Sequence, residues 1–169
     1  MLMIMSFAWS NVLAALAVVA LPLGGMWIAP MLAVSTKRLF FTLNTWGIPF
    51  LIGQITQRDE RGSLWVQYHL LDLAYVPWGT ALVILLLSVG VHMTGRPMSD
   101  AALYTSSFAA VLLFGYGSEL WDTLVSWYAG YSLQRAADVG DYTTITVGAL
   151  ATMAIYLWCR RPSAREAAC

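Results

Sequence analysis

The run LAYVPWGTALVILLLSVGV, from Leu73 to Val91, is the clearest structural signal in this chain. It carries no charged side chain, and its length matches the roughly 20 apolar residues that a helix needs to cross the hydrocarbon layer of a membrane. Because lipid offers the backbone no hydrogen-bond partners, we expect this segment to span as a helix. The whole chain has the same character: 59% of the 169 residues are hydrophobic and 11% are charged, and the mean hydropathy is +0.67. The composition therefore indicates an integral membrane protein.

Further apolar segments lie on both sides of this run. We expect a single all-α transmembrane domain over residues 1–169, a polytopic helical bundle with no soluble domain. Its predicted spans are about 8–34, 39–55, 72–92, 101–121 and 142–158. In the first of them, Pro22, Gly24 and Gly25 predict a kink or a break near residues 21–25, since proline removes a hydrogen bond that lipid cannot replace.

The segment 39–55 is the ambiguous one, because Asn44, Gly47 and Pro49 interrupt it. The positive-inside rule favours a crossing. With five spans, the N-terminus lies outside, the C-terminus lies inside, and six of the nine basic residues are cytoplasmic. With four spans, four of the basic residues lie inside and five lie outside. We therefore expect five spans, with four as the alternative, in the inner (cytoplasmic) membrane of a prokaryote.

Acidic residues are concentrated at span ends that meet on one face of the membrane. In the five-span topology, seven of the nine acidic residues lie on the outer side. Three polar pairs there are spaced i, i+3, which places both members of a pair on one face of a helix. The candidate ligand- or ion-binding residues are His69, Asp72, Glu119, Asp122, Arg135, Asp138 and Asp141.

Two interpretations of these residues stay open. Carboxylate oxygens suit calcium, magnesium or manganese, and the nitrogen of His69 suits zinc or iron, so the set is compatible with a divalent metal ion of unassigned identity. Alternatively, the residues cap helices, pair with Arg135 or lie solvated among lipid headgroups; Asp138 and Asp141, just before a helix, fit such capping. Glu119 is the acid expected inside the membrane, where a carboxylate costs roughly 2.5 to 3.5 kcal/mol on insertion scales and usually has a partner or a task. If the span ends at Gly117, Glu119 is solvated instead.

Other function classes lack support in the sequence. The formal net charge is zero, so no basic surface is available for nucleic acid. The two cysteines, Cys159 and Cys169, lie in the C-terminal tail and do not form a fold-wide disulfide framework. No serine or cysteine near the polar residues has a base at a recognisable spacing, and no glycine-rich segment follows a strand as in a phosphate loop. No catalytic residue is therefore predicted, and the sequence leaves the cofactor unknown.

The run RAADVGDYTTITVGALATMAIY, from Arg135 to Tyr156, resembles the last span of VanZ-like membrane proteins. The shared pattern is an arginine, two spaced acids, then a polar stretch of small residues ending in Gly-Ala. The matching residues are Arg135, Asp138, Asp141, Thr146, Gly148 and Ala149. Glu119 resembles the family's glutamate at the end of the preceding span, and His69 its histidine in an earlier span.

This resemblance covers roughly the last 60 residues and has two departures. Ile145 stands where the family tends to place an asparagine, and the gap between Glu119 and Arg135 is longer than expected. The resemblance implies an α-helical membrane protein that handles cell-envelope lipid or glycopeptide resistance, with no settled enzymatic activity for the family.

Three functions follow as hypotheses. The first is an accessory or structural subunit of a larger membrane complex, respiratory or photosynthetic for example, whose partners are other membrane subunits and the lipid bilayer. Small residues such as Gly115, Gly148 and Ala151 favour the close helix packing that this role needs. The alternative is a VanZ-like membrane protein that binds a lipid headgroup, a cation or a proton through the outward-facing acidic cluster. The last is a metal-dependent membrane enzyme, which we expect least.

Overall fold

The computed structural model describes residues 2–56, 64–128 and 139–161. Within these ranges the chain is all-helical and contains no strand, so the expected all-α class is confirmed. A short 3-10 turn, Ala29–Met31, follows the first helix. The helices are α1 (Leu2–Ile28), α2 (Val34–Asn44), α3 (Gly47–Thr56), α4 (Leu64–Thr94), α5 (Asp100–Tyr128) and α6 (Val139–Cys159).

Four of these helices, α1, α4, α5 and α6, are long and apolar enough to cross a membrane by length and composition. Their apolar windows are Val12–Met31, His69–Thr94, Asp100–Val125 and Gly140–Cys159. They correspond to four of the five predicted spans and are consistent with an integral membrane protein. The predicted span at 39–55 is not among them.

That segment folds as the two short helices α2 and α3, of 11 and 10 residues, with a break at Thr45 and Trp46. Pro49 accounts for the break, because its nitrogen cannot donate to the carbonyl of Thr45 and its ring clashes with that carbonyl. The N–H of Ile48 bonds the Thr45 carbonyl instead, at 3.3 Å. Neither helix alone is long enough to cross the hydrocarbon layer.

α1 runs without a break through Pro22 and ends at Ile28. Of the two outcomes expected near residues 21–25, the break is therefore not found. The chain leaves the helix later, where Pro30 occupies the start of the 3-10 turn. Proline is well placed there, because the first turn of a helix has no partner for its missing N–H.

α4 is the central helix, since it contacts each of the other five helices. Ala81 and Ile84 of α4 are fully buried in one core cluster together with Phe40 of α2. Val76 of α4 is buried with Ile145 of α6 in a second cluster. The other helices are therefore positioned by their contacts with α4.

Two contacts show how α2 and α3 run relative to α4. Gly53 of α3 lies against the backbone of Leu71, near the start of α4. At the other extreme, Ser35 of α2 donates a hydrogen bond to Asp100 at 3.5 Å, and Asp100 begins α5 just after the end of α4. α2 and α3 together thus run antiparallel to α4 between two ends of the bundle, which we call the His69 end and the Asp100 end.

Four buried hydroxyl groups in α4, α5 and α6 bond within their own helix. Each donates to the carbonyl four residues earlier, at distances from 2.6 to 2.8 Å. Such bonds satisfy a hydroxyl without a partner from another helix or from water. The residues are Thr80, Ser88, Ser107 and Thr152.

Candidate functional site

Three titratable side chains converge at the His69 end of the bundle. His69 Nδ1 lies 3.7 Å from Asp141 Oδ1, with the two side chains 18% and 23% exposed. Asp72 completes the group, and one ligand atom from each of the three residues lies within 4.8 Å of the others. His69 and Asp72 share one face of α4 by their i, i+3 spacing, and Asp141 lies in the first turn of α6. We call these three residues the His69 cluster.

Two glycines fix the backbone of α4 beside Asp72. A Cβ on Gly53 of α3 would lie 2.7 Å from the amide nitrogen of Leu71, and a Cβ on Gly148 of α6 would lie 2.6 Å from the carbonyl oxygen of Leu73. Both positions therefore require glycine, because the obstructing atoms belong to a helix backbone. α3 and α6 close on α4 at this point, and the approach of α6 brings Asp141 to His69 and Asp72.

A tyrosine contact holds α5 against α6 next to the cluster. The Tyr116 hydroxyl and Thr146 Oγ1 are 2.7 Å apart. The Tyr116 ring also stacks on the ring of Tyr142, the residue after Asp141, with centroids 6.2 Å apart. Glu119 follows Tyr116 by one helical turn, and so lies at the same end of the bundle.

The predicted site residues have different outcomes. The structure brings His69, Asp72 and Asp141 together. Glu119 is half-buried at the same end but is not a member of the group of three, and Asp122 is exposed on α5. Arg135 and Asp138 lie outside the described residues. Sequence reasoning missed Gly53 and Tyr116; a glycine inside an apolar segment was the only signal for the first.

The charges of the cluster favour a bound cation. Two carboxylates at this separation repel each other, and a cation held between them removes the repulsion.

The donor set also fits a metal ion chemically. One imidazole and two carboxylates combine nitrogen and oxygen ligands, a set that Mn²⁺, Fe²⁺ and Zn²⁺ accept, with water completing the coordination. Ligand atoms that each lie about 2.1 Å from a metal ion are separated by up to about 4 Å. The separations in the cluster come close to this value, so small side-chain rotations would complete such a site.

No protein-family model matches the chain, and neither the curated proteins nor the solved structures contain a match. The resemblance to VanZ-like proteins therefore stays a prediction, as does the role of accessory subunit. Function has to be argued from the residues themselves.

Proposed function

We propose that this chain is an integral membrane protein that binds a divalent metal ion through His69, Asp72 and Asp141. The observation that carries the proposal is the convergence of their ligand atoms within 4.8 Å from two helices that are far apart in sequence. The capping of one helix end requires acids from one helix only, whereas this group joins an imidazole and a carboxylate of α4 to a carboxylate of α6. The cluster therefore favours a binding function over the role of accessory subunit, which needs no such group. An enzymatic activity is not part of the proposal.

The proposed topology has five crossings, with α2 and α3 together forming one of them. Two facts support it: α2 begins beside Asp100, and α3 ends near Leu71, so the pair covers the length of the bundle. A broken helix is tolerated at membrane depth where local 3-10 bonds and hydroxyl side chains satisfy the freed backbone groups. At this break the N–H groups of Thr45, Trp46 and Ile48 each bond the carbonyl three residues earlier, and the Thr45 hydroxyl donates to the Thr42 carbonyl. The positive-inside rule then makes the Asp100 end cytoplasmic and leaves the His69 cluster outside, in a prokaryotic inner membrane.

The test of the metal site is a titration of Mn²⁺ into the full chain, purified in detergent and stripped with a chelator. We expect one saturable site per chain. Asp72→Asn should weaken Mn²⁺ binding by about tenfold or more, in the range seen when groups supporting a metal site are removed.

The matched control is Asp122→Asn. Asp122 is an exposed acid at the same end of the bundle, and its substitution should leave the affinity within about twofold, as for other surface changes. Absence of saturable Mn²⁺ binding, or equal loss of affinity in the two variants, would contradict the proposal.

A further inference from the structure

The break between α2 and α3 leaves polar side chains buried in the interior of the bundle. The side-chain oxygen of Asn44, Oδ1, and the indole nitrogen of Trp78, Nε1, are both buried, and neither has a hydrogen-bond partner among the described residues. The whole side chain of Trp78 is only 6% exposed. A buried donor or acceptor without a partner costs free energy, and lipid offers no replacement. These two groups therefore call for a partner that lies between the helices.

Gly47 brings the indole nitrogen of Trp78 to the break. A Cβ on Gly47 would lie 2.7 Å from Trp78 Nε1, so the absence of a side chain at this position lets the indole lie directly against the backbone. Asn44 precedes Gly47 by three residues, and around this turn N–H groups bond the carbonyl three residues earlier. In such 3-10 geometry, side chains at i and i+3 eclipse each other. Asn44 therefore shares with Gly47 the face of the chain that Trp78 covers.

The break also frees a backbone acceptor at Asn44. In a continuous α-helix the N–H of Ile48 would bond the carbonyl of Asn44. Here it bonds the carbonyl of Thr45 instead, at 3.3 Å, and no other backbone N–H of the described residues bonds the Asn44 carbonyl. One donor from α4 and two acceptors from the end of α2 thus belong to the same break.

A ligand for this set has to accept one hydrogen bond and donate others. A cation suits the two oxygens of Asn44 but not the indole N–H, which is a donor only, and an anion suits the N–H but not the oxygens. A water molecule does both, and buried waters make about three hydrogen bonds to groups that are otherwise unsatisfied. We propose that one water molecule is bound at the α2–α3 break. It accepts from Trp78 Nε1 and donates to Asn44 Oδ1 and to the Asn44 carbonyl.

The surroundings of this site separate it from lipid and from bulk water. Trp78 follows His69 by nine residues, which places it about 14 Å along α4 from the His69 end. The ring of Phe50, on α3, stacks on the indole with the centroids 4.5 Å apart. Val18 of α1 lies on the same side, 3.3 Å from the position of a Cβ on Gly47. The water therefore belongs to the fold, where it joins the broken α2–α3 segment to α4.

The test is nuclear magnetic resonance of the full chain in detergent micelles, with isotope-labelled indole nitrogens. The chain has eight tryptophans, so the Trp78 resonance is identified by its loss in Trp78→Phe. We expect the indole proton of Trp78 to show a nuclear Overhauser cross-peak to water, which bulk water does not give to a buried group. A Trp78 indole proton without this cross-peak would overturn the proposal in the wild-type protein, before any variant of the site is made.

A variant and its control then assign the partner. Asn44→Leu should abolish the water cross-peak and move the indole proton resonance upfield, because the N–H loses its hydrogen bond. The control is Thr45→Val, at an exposed neighbour whose hydroxyl bonds its own helix. It should keep the cross-peak, which excludes that exchanging hydroxyl as the source of the signal.

Two outcomes of the variants would contradict the proposal. If the cross-peak persists in Asn44→Leu, the water does not bind Asn44. If the resonance moves in Asn44→Leu but the wild-type protein shows no water cross-peak, Trp78 bonds Asn44 directly. The site shares no residue with the His69 cluster, so Mn²⁺ binding should be unchanged in Asn44→Leu, and failure of the water site is distinguishable from failure of the metal site.

Discussion

At the scale of single residues, the His69 cluster divides the acidic side chains into two kinds. Asp72 and Asp141 contribute atoms to the group of three, whereas Glu119 is at the same end of the bundle but outside the group. Asp141 lies beside His69 and Asp72 because α4 and α6 are in close backbone contact at Gly148, whereas Glu119 lies on α5. The position of an acid in the sequence determines the end of the bundle at which it lies, whereas helix packing determines whether it joins the His69 cluster.

This division predicts opposite results for two substitutions. Asp141→Asn removes a ligand and should weaken Mn²⁺ binding by about tenfold or more. Glu119→Gln should leave Mn²⁺ affinity within about twofold, because it removes a charge without removing a ligand. Titration of both variants checks this. A larger loss from Glu119→Gln than from Asp141→Asn would mean that the group of three is not the metal site.

At the scale of helices, the close backbone contacts that α3 and α6 make with α4 at glycine residues position the His69 cluster. Gly148→Ala would place a Cβ 2.6 Å from the Leu73 carbonyl oxygen, so α6 would have to move away from α4. We expect a loss of about 1–3 kcal/mol in the free energy of unfolding, the usual range for overpacking. The measurement is denaturant unfolding in detergent micelles.

The control for this prediction is Gly90→Ala on α4. Nothing lies within 4 Å of a Cβ at Gly90, and alanine is the better helix former by up to about 1 kcal/mol. Gly90→Ala should therefore leave stability unchanged or raise it slightly. Equal destabilisation by the two substitutions would show that helix contact at Gly148 is not the cause.

Helix boundaries show how far sequence reasoning extends. The long apolar segments of the sequence predicted α1, α4, α5 and α6, because spanning a membrane depends on composition over some 20 residues. The break between α2 and α3 could be anticipated from Pro49, and the antiparallel direction of the pair relative to α4 follows from the five-span order, but the contacts that hold the pair against α4 could not be predicted. Those contacts, such as Gly53 with Leu71, join residues from separate helices.

The candidate sites divide in the same way. The spacing of His69 and Asp72 already indicated a shared helix face, and the predicted order of spans brought Asp141 to the same end. The polar groups at the α2–α3 break had only a partial sequence signal, the Asn44 that interrupts an apolar segment. Trp78 could not be assigned to the same place, because its approach to Gly47 joins separate helices.

At the scale of the whole molecule, the outer surface of the bundle is apolar. Leu16 of α1 is 58% exposed, and Leu113 and Phe114 of α5 are 76% and 69% exposed. In water, a contiguous surface of this kind would be an aggregation site. In a bilayer it is the surface that lipid covers, which agrees with the composition of the chain and with its four long apolar helices.

The five-crossing topology makes a prediction at this scale. In a chain with Cys159 and Cys169 replaced by serine, single cysteines at Val34, where α2 begins, and at Thr56, where α3 ends, should react with a membrane-impermeant maleimide from opposite sides of the membrane. The labelling is done on intact cells and on inverted vesicles. Reaction of both cysteines from the same side would mean that α2 and α3 do not cross, and the count of crossings would be four.

The central claim is that His69, Asp72 and Asp141 bind one metal ion together, and pulsed electron paramagnetic resonance of the Mn²⁺-loaded chain tests it most directly. We predict a nitrogen hyperfine coupling from the imidazole of His69 in the wild-type protein, and its loss in His69→Gln. Stoichiometric Mn²⁺ without that coupling, or a coupling that persists in His69→Gln, would contradict the account.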